Sequence, residues 1–344
     1  MPVLMPLATA VAYANSLGNP FVLDDARIIR SCACFSSLWP LPPRIVADLT
    51  FCLNAVLFGP HPASYRIVNI AIHATAALLL YGIIRRTLAL PRFQFRYQSS
   101  GTWLAAASAT LWAVHPVQTE SVIYVCQRYE SLMGLFYLFA LYGFVRGCTS
   151  DRHRIGWYDG AAASCVLGMG TKGVMITAPL MILLYDYVFI SGNPFGAVRT
   201  RWRIHATLFI TGIVTILLAF FYRENSLDAY VDPGHNMAYF LTQFRVVAHY
   251  VRLTFWPYPL CLQYGWEAVS GLREVLAPAL AILLLFGAGM GLLWRRHPAG
   301  FLLAWFLVIL TPTSSVFPIP DVIFEHRMYL SLAGVTVLLI VGGF

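Results

Sequence analysis

Charged residues are scarce in this chain, and their scarcity indicates its class. Asp, Glu, Lys and Arg make up 11% of the 344 residues, while 59% are hydrophobic; soluble domains carry about 25% charged residues. This composition argues against a soluble domain and predicts a protein that crosses a membrane several times. The net charge of +8 would suit a nucleic-acid ligand. The basic residues, however, stand in short clusters between apolar runs, where they orient membrane proteins, so no nucleic-acid partner is expected.

Paired cysteines and repeats are also missing. The seven cysteines form no repeated C-x-x-C pair, and the stretch Cys32-Ala33-Cys34 lacks the spacing of a zinc site. Most cysteines are therefore expected to be small apolar side chains. The first apolar run shows no small-residue cleavage site before the next polar stretch, and further apolar runs follow it. It is therefore predicted to be a retained signal-anchor.

Long apolar runs dominate what is present. A membrane-spanning helix needs about 20 mostly apolar residues, and ten runs approach that length. They predict an all-α integral membrane protein, built as a single polytopic membrane domain over residues 1–344. The last run is still apolar at its end, which would suit a piece of a longer protein. The runs cover residues 2–18, 63–84, 102–116, 130–146, 157–171, 174–190, 205–222, 272–294, 299–312 and 327–344.

The loops between these runs predict the orientation. Arginines concentrate in every second loop, and short basic loops lie on the cytoplasmic side. Nearly all acidic residues fall in the other loops, which are predicted to face the periplasm or the lumen of the endoplasmic reticulum. The host would be a bacterial inner membrane or the endoplasmic reticulum membrane. The basic loops hold Arg85, Arg86, Arg92 and Arg96; Arg146, Arg152 and Arg154; Arg199, Arg201 and Arg203; and Arg295 and Arg296.

Three of the predicted outward segments are too long to be tight turns. The first, residues 19–62, contains an apolar run from Arg44 to Phe58 that is too short to span and predicts an interfacial helix. The second, residues 223–271, contains a helix-like stretch with Arg245, His249 and Arg252 on one face by i, i+4, i+7 spacing. The third is the proline-rich stretch 311–321.

Two adjacent carboxylates, Asp24 and Asp25, follow the first apolar run. They can be solvated loop charges or the catalytic group of an outward-facing site. Other polar residues gather at the same predicted face, where each also has a structural reading as an interhelical hydrogen bond, a helix cap, an ion pair or an interface anchor. They are Arg66, Asn69 and His73; His115 and Glu120; Arg128 and Glu130; Lys172, the single lysine; and Glu325, His326 and Arg327.

A carboxylate pair with cations at helix ends suits a substrate that has a phosphate at the membrane surface and an apolar tail. A polyprenyl-phosphate sugar has that chemistry, and a carboxylate would deprotonate an acceptor hydroxyl. Preorganised cations would neutralise the departing phosphate, and the candidates are Arg66, Arg128, Lys172 and Arg327. Asp24 is predicted to be the base, with Asp25 and Glu325 as secondary carboxylates. The Asp pair could also hold a divalent cation through oxygen ligands, but no further ligand is predictable, so no cofactor is certain.

Several of these stretches resemble a known family when taken in order. They are Phe21-Val22-Leu23-Asp24-Asp25, the interfacial segment that follows it, the run from His61-Pro62 to Ile70 with His73, the run from His115-Pro116 to Glu120, and Glu325-His326-Arg327-Met328-Tyr329-Leu330. Together they resemble the membrane part of the transmembrane and tetratricopeptide-repeat (TMTC) O-mannosyltransferases and their bacterial relatives.

The resemblance implies a GT-C fold with about ten transmembrane helices and interfacial helices in the first outward loop. It also implies transfer of mannose from a polyprenyl-phosphate carrier to protein Ser or Thr, with inversion at the sugar carbon. Asp24 would be the catalytic carboxylate and Asp25 would assist. The chain departs from the family pattern at Gly173 and Gln263, where relatives usually carry acidic residues, and no tetratricopeptide repeat follows its last apolar run.

Two other functions remain open at this point. A transporter or lipid flippase would place polar groups near the membrane midplane and often shows repeats, whereas here the charges gather at one face. A non-catalytic membrane scaffold descended from such an enzyme would accommodate the departures at Gly173 and Gln263. The expected partners are a polyprenyl-phosphate sugar lipid, an acceptor protein or peptide, and the bilayer.

Overall fold

The computed structural model describes residues 3–26, 44–150, 152–224, 233–269, 271–314 and 321–344. Within these ranges the regular elements are all helical. Thirteen α-helices are present there, joined by short 3-10 turns and one π-helical turn at Asp186–Ser191. They are α1 Leu4–Tyr13, α2 Ile45–Phe58, α3 Pro62–Leu88, α4 Gly101–Val114, α5 Thr119–Ile123, α6 Arg128–Thr149, α7 Arg154–Met169, α8 Ala178–Tyr185, α9 Pro194–Glu224, α10 Pro233–Phe255, α11 Leu276–Trp294, α12 Pro298–Leu310 and α13 Ser331–Gly342.

Local sequence explains where these helices begin and end. Helix α2 ends at Gly59, whose φ of +70° is a left-handed conformation that glycine adopts without steric cost. Proline stands at the first position of α3 and of α12, where its fixed φ suits a helix and its missing N–H would have no partner. The chain therefore turns sharply between α2 and α3 and enters α3 in a defined direction.

Each predicted apolar run contains one of these helices. In the described part of the chain, four helical stretches are long and apolar enough to cross a membrane: Pro62–Leu88, Val125–Thr149, Gly173–Ser191 and Leu276–Trp294. Helices α2, α12 and α13 are apolar but shorter, and α1 has only ten residues. An all-helical membrane protein is confirmed, while the total of ten crossings stays a prediction.

Helix α6 lies at the centre of the packing. It packs along α3 and α7, while α13 packs against α4 and α12. A Cβ added at Gly143 of α6 would lie 2.9 Å from the carbonyl oxygen of Trp157, so glycine is needed for the close approach of α6 and α7. Small residues at such contacts are typical of helix packing in membranes.

The two helices predicted within the long outward segments are present. Helix α2 forms within the predicted run from Arg44 to Phe58, and α10 carries Arg245, His249 and Arg252. The interfacial position of α2 stays a prediction. Residues 27–43 of the first segment and 315–320 of the third lie outside the described residues.

The described cysteines include four free thiols and one disulfide-bonded residue. Cys126, Cys148, Cys165 and Cys261 are free, and Cys126 and Cys165 are buried as small apolar side chains would be. Cys52 of α2 is disulfide-bonded. Sequence spacing alone gave no sign of this, because disulfide partners are set by distance in the folded chain and not by separation along it.

Candidate active site

The loop after α1 presents its two carboxylates differently. Asp25 is fully buried, and its oxygens accept the backbone N–H groups of Val22 at 3.1 Å and Cys126 at 2.8 Å. Asp24 is exposed, and its own N–H donates to Tyr124 Oη at 3.2 Å. Leu23, just before the pair, has a φ of 45°, a conformation that non-glycine residues adopt only where surrounding contacts hold it. The loop is therefore held in place by Asp25 and leaves Asp24 accessible.

Arg66 of α3 holds this loop through hydrogen bonds to backbone carbonyls. It is 1% exposed, and its guanidinium donates to the carbonyl oxygens of Asn19, Pro20 at 2.6 Å and Ile123 at 3.2 Å. Burial raises the pKa of the Asp25 carboxyl, whereas its two backbone hydrogen bonds and the charge of Arg66 lower it. Arg66 therefore holds the loop in position and stabilises the charged form of Asp25.

Arg128, at the start of α6, is a second fully buried cation. Its guanidinium donates to the amide oxygens of Asn69 at 2.7 Å and Asn54 at 2.9 Å, and to two backbone carbonyls. It also lies 4.6 Å from the ring centroid of Phe51 and 5.4 Å from that of Tyr65. Asn69 in turn donates to the carbonyls of Val122 and Val125. Arg128 and Asn69 thus join α2, α3 and α6 beneath the loop.

Lys172 stands between α7 and α8, where it forms an ion pair with Glu130 of α6. Its side chain is 14% exposed and that of Glu130 is 2% exposed. Glu130 stands in the first turn of α6, four residues after Cys126, whose N–H donates to Asp25. The lysine charge therefore lies at the same face of the bundle as the acidic loop.

Glu120 and His326 form a close buried pair. Glu120 Oε2 accepts the N–H of His326 at 2.8 Å, and Oε1 lies 2.6 Å from its Nδ1. Burial raises the pKa of the Glu120 carboxyl to about 7, although the His326 N–H and the charge of Lys172 oppose the rise. Burial likewise holds the pKa of His326 well below its ordinary value. The imidazole is therefore neutral, and Glu120 gains or loses a proton near neutral pH.

Glu325 is 3% exposed and faces the second long outward segment. Its Oε1 accepts the N–H of Cys261 at 2.6 Å and the hydroxyl of Tyr264 at 2.6 Å. Burial raises the pKa of Glu325, while these two hydrogen bonds lower it. The segment after α10 is therefore tied to the start of the last helix through Tyr264.

The three basic residues of α10 all contact this same segment. Arg245 pairs with Glu274 at 2.8 Å and stacks over Trp266 at 5.2 Å. His249 Nε2 lies 3.3 Å from Tyr264 Oη, and Arg252 donates to the carbonyl of Tyr258 at 3.2 Å. Their shared face, predicted from spacing, thus orients the segment that reaches Glu325.

The remaining candidates hold chain segments together. His73 is fully buried, with Nδ1 2.9 Å from Tyr329 Oη and Nε2 2.9 Å from the Ala113 carbonyl. His115 Nε2 lies 3.2 Å from the Thr254 carbonyl. Arg327 donates to the carbonyls of Thr313, Asp321 and Val322, so it joins the two described ends of the proline-rich segment.

Comparison with known proteins assigns this arrangement to a family. The sequence pattern of the dolichyl-phosphate-mannose-protein mannosyltransferases matches residues 42–222. This range includes α2, α3, the helices that carry Glu120 and Arg128, and the connection that holds Lys172. The chain belongs to this family. Within it, the relatives found are TMTC-type O-mannosyltransferases, which confirms the resemblance seen in the sequence.

Three relatives show the extent of the similarity. The chain is 26% identical to mouse protein O-mannosyl-transferase TMTC2 over 206 residues, 52% of this chain and 23% of the relative. It is 30% identical to the Caenorhabditis elegans protein O-mannosyl-transferase F38B6.6 over 151 residues, 38% of this chain and 21% of the relative. It is 25% identical to Drosophila melanogaster protein O-mannosyl-transferase Tmtc1 over 337 residues, 83% of this chain and 37% of the relative. The matches thus span about a fifth to two-fifths of each relative, and no solved structure is significantly similar to the chain.

Several residues of this family member's site escaped the sequence analysis. Arg44 is exposed, lies 4.8 Å from the Tyr129 ring centroid, and forms no ion pair within the described part of the chain. The Tyr124 hydroxyl accepts the backbone N–H of Asp24, and the Tyr264 hydroxyl donates to the Glu325 carboxylate. Gln263, where the chain departs from the family pattern, is next to Tyr264 in the sequence. Tyrosines in an apolar sequence are nevertheless too common for a pattern to single out Tyr264 itself.

A divalent cation at the acidic pair would need further ligands. Among the described residues, no group of three or more His, Cys, Asp or Glu side chains is placed to hold a metal ion. Both oxygens of Asp25 accept backbone N–H groups. The geometry thus adds no further ligand to the two aspartates that the sequence suggested for a divalent cation.

Proposed function

We propose that this chain transfers mannose from a polyprenyl-phosphate carrier to a Ser or Thr hydroxyl of an acceptor protein, on the non-cytoplasmic face of its membrane. The observation that carries the proposal is the difference in exposure between the two aspartates. Asp25 is buried and held by hydrogen bonds, whereas Asp24 next to it is exposed. Membership of the mannosyltransferase family supplies the reaction class. The chain would act as one polytopic domain of GT-C type, with residues 19–62 as its catalytic loop.

The reaction follows from this arrangement. A carboxylate oxygen of Asp24 accepts the proton of the acceptor hydroxyl, whose oxygen then bonds to C1 of the sugar. The bond between C1 and the phosphate oxygen breaks, and its electron pair stays with the phosphate. Inversion at C1 is carried over from the family resemblance. Asp25 and Arg66 keep the loop in position during the transfer.

The departing phosphate needs positive charge close to it. Arg66, Arg128 and Arg327 are occupied by carbonyl and amide oxygens. Lys172 is partly exposed, and its ion pair with Glu130 occupies one of the three N–H donors of its ammonium group. Arg44 is exposed beside α2. We therefore assign the phosphate to Lys172 and Arg44, and assign the buried arginines to positioning the elements around it.

The carrier's isoprenoid tail needs an apolar surface near this face. A groove of about 370 Å³ runs between α10, α11 and the end of α12, with Phe240, Phe244 and Phe286 in its walls. Two buried polar atoms at this groove, Gln243 Oε1 and Ser314 Oγ, have no hydrogen-bond partner among the described residues. The groove supports binding of a long apolar chain that carries a polar group.

The outward orientation has separate support. The alternation of basic and acidic loops favours a non-cytoplasmic position for α2 and the Asp pair. Cys52 of α2 is disulfide-bonded, and disulfides persist in the periplasm and the endoplasmic reticulum lumen but rarely in the cytosol. Both observations favour a site that faces the periplasm or the lumen.

Sugar transfer by the purified full chain tests the proposal. The substrates are radiolabelled polyprenyl-phosphate-mannose and a Ser/Thr-rich peptide, with and without a chelator. Asp24→Asn is expected to lower transfer by about 100- to 10,000-fold, the usual contribution of a general base. Asp159→Asn, an equal change at an exposed position of α7, is expected to leave it unchanged. Undiminished transfer by Asp24→Asn would refute the assignment of the base.

A second set of variants tests the phosphate contacts. Arg44→Gln and Lys172→Gln are each expected to raise the KM for the carrier, whereas the exposed Arg85→Gln on the opposite loops serves as the charge-matched control. An equal effect of all three would contradict a specific phosphate site. Lipid binding without transfer in any preparation would favour the non-catalytic scaffold.

A further inference from the structure

A cavity between α3, α8, α12 and α13 lies far from the acidic loop. It has a volume of about 490 Å³, within the range of ~300–1,000 Å³ typical of ligand sites. The last third of α3 lines it, together with α8, α12 and α13. At 1.5 Å per helical residue, Thr87 in its wall lies about 32 Å along α3 from Arg66. The cavity therefore belongs to the opposite end of the bundle.

Its interior is apolar. Ile84 and Leu88 of α3, Phe301 and Trp305 of α12 and Val341 of α13 form the walls. The hydroxyls of Thr87 and Tyr185, which also line it, lie 2.7 Å apart and satisfy each other. The interior thus offers no polar group that needs a partner, and it suits a hydrocarbon chain.

The rim of the cavity, by contrast, is basic. Arg92, Arg96 and His297 line it, and all three are exposed. Arg92 is oriented by hydrogen bonds from its guanidinium to the carbonyls of Val188 and Arg296, and Arg96 lies over the Tyr97 ring at 5.4 Å. Neither arginine forms an ion pair within the described part of the chain. A guanidinium has five N–H donors, so both retain donors for an anion.

This combination of an apolar interior and a cationic rim selects one kind of ligand. These arginines belong to the loops predicted to be cytoplasmic, where the membrane leaflet is rich in anionic lipids. We propose that the cavity binds an anionic glycerophospholipid, with an acyl chain among the apolar walls and the phosphate on Arg92 and Arg96. Basic pockets between helices on that side of a membrane recognise such head groups. This site is separate from the donor site proposed at the other end.

Lipid binding to the purified full chain tests the proposal by native mass spectrometry. The probes are dioleoylphosphatidylglycerol and dioleoylphosphatidylcholine, which share their chains and differ in head-group charge. We expect the wild type to prefer phosphatidylglycerol. The double variant Arg92→Gln/Arg96→Gln is expected to bind it about 30-fold more weakly, since each basic residue near an anionic lipid contributes about a fivefold factor.

Two further variants separate the alternatives. Arg85→Gln/Arg295→Gln removes two exposed arginines from the same loops that do not line the cavity, and it should keep the preference. Val337→Trp should fill the cavity and weaken both lipids. If the two arginine double variants lost the preference for phosphatidylglycerol equally, the proposal would be overturned, because only general surface charge would be involved. A second result would also overturn the proposal. If Val337→Trp lost binding of undecaprenyl phosphate while Arg92→Gln/Arg96→Gln changed the binding of no lipid, the cavity would be assigned to the carrier's tail.

Discussion

Glu120 offers a direct test of the buried network at the outward face. The carboxyl is 6% exposed and its pKa is raised to about 7 from an ordinary value of 4.5, chiefly by burial. The folded protein therefore keeps this proton to a higher pH than the unfolded chain. Stability from this group is fully present below about pH 4.5, falls as the pH rises towards 7, and stays at its lower level above that.

The size of the effect follows from the two values. The difference between about 7 and 4.5, at 1.36 kcal/mol per pKa unit, is about 3 kcal/mol at alkaline pH. Glutamine imitates the protonated acid, since its carbonyl oxygen can accept the His326 N–H and its amide can donate to Nδ1. Glu120→Gln should therefore be more stable than the wild type by under about 1 kcal/mol at pH 5 and by about 3 kcal/mol at pH 8.5.

Thermal unfolding of the detergent-solubilised protein between pH 5 and 9 measures this difference. His326 is present in both proteins, so its own titration affects both, and the difference between them reports Glu120. Glu267→Gln, at an exposed position of the second outward segment, controls for the loss of one negative charge. A Glu120→Gln variant whose melting temperature runs parallel to that of the wild type across this range would refute the reasoning.

Two further predictions concern the positioning contacts. Arg66→Gln removes the donors to the Asn19 and Pro20 carbonyls and should lower kcat about 100-fold, because a displacement of about 1 Å can have that effect; steady-state kinetics with unchanged kcat would contradict this. Tyr264→Phe removes the hydroxyl bonded to Glu325 and should lower the free energy of unfolding by about 1.5–3 kcal/mol. That loss should shrink in acid, where Glu325 is protonated, and equal melting temperatures of variant and wild type at neutral pH would exclude it.

Much of the architecture could be predicted because it depends on local pattern. Each apolar run contains a helix, and the helix carrying Arg245, His249 and Arg252 was recognisable from spacing of 3.6 residues per turn. The helix from Ile45 to Phe58 lies within the apolar run from Arg44 to Phe58, which Pro42-Pro43 precedes and Gly59-Pro60 follows in the sequence. Membership of the mannosyltransferase family was also visible in the short ordered motifs, and the comparisons confirm it.

The roles within the site were harder to predict. Arg66, Arg128 and Arg327 look alike in the sequence as cations at helix ends, yet all three are buried and satisfied by neutral oxygens. Arg44 was not among the predicted site residues, and it proves to be exposed over the ring of Tyr129. A cation's use depends on which acceptors surround it, and those acceptors come from helices distant in the chain.

The sequence by itself determined the class of this protein, since composition sets how much of a chain can stay in water and the hydrophobic period sets where helices form. Only the tertiary structure decided which of two adjacent aspartates is accessible. Asp25 can be buried because the N–H groups of Val22 and Cys126 donate hydrogen bonds to its carboxylate oxygens, and the second of these donors lies about a hundred residues away. Burial and hydrogen bonding are properties of the folded arrangement, so neighbours in sequence can take opposite roles.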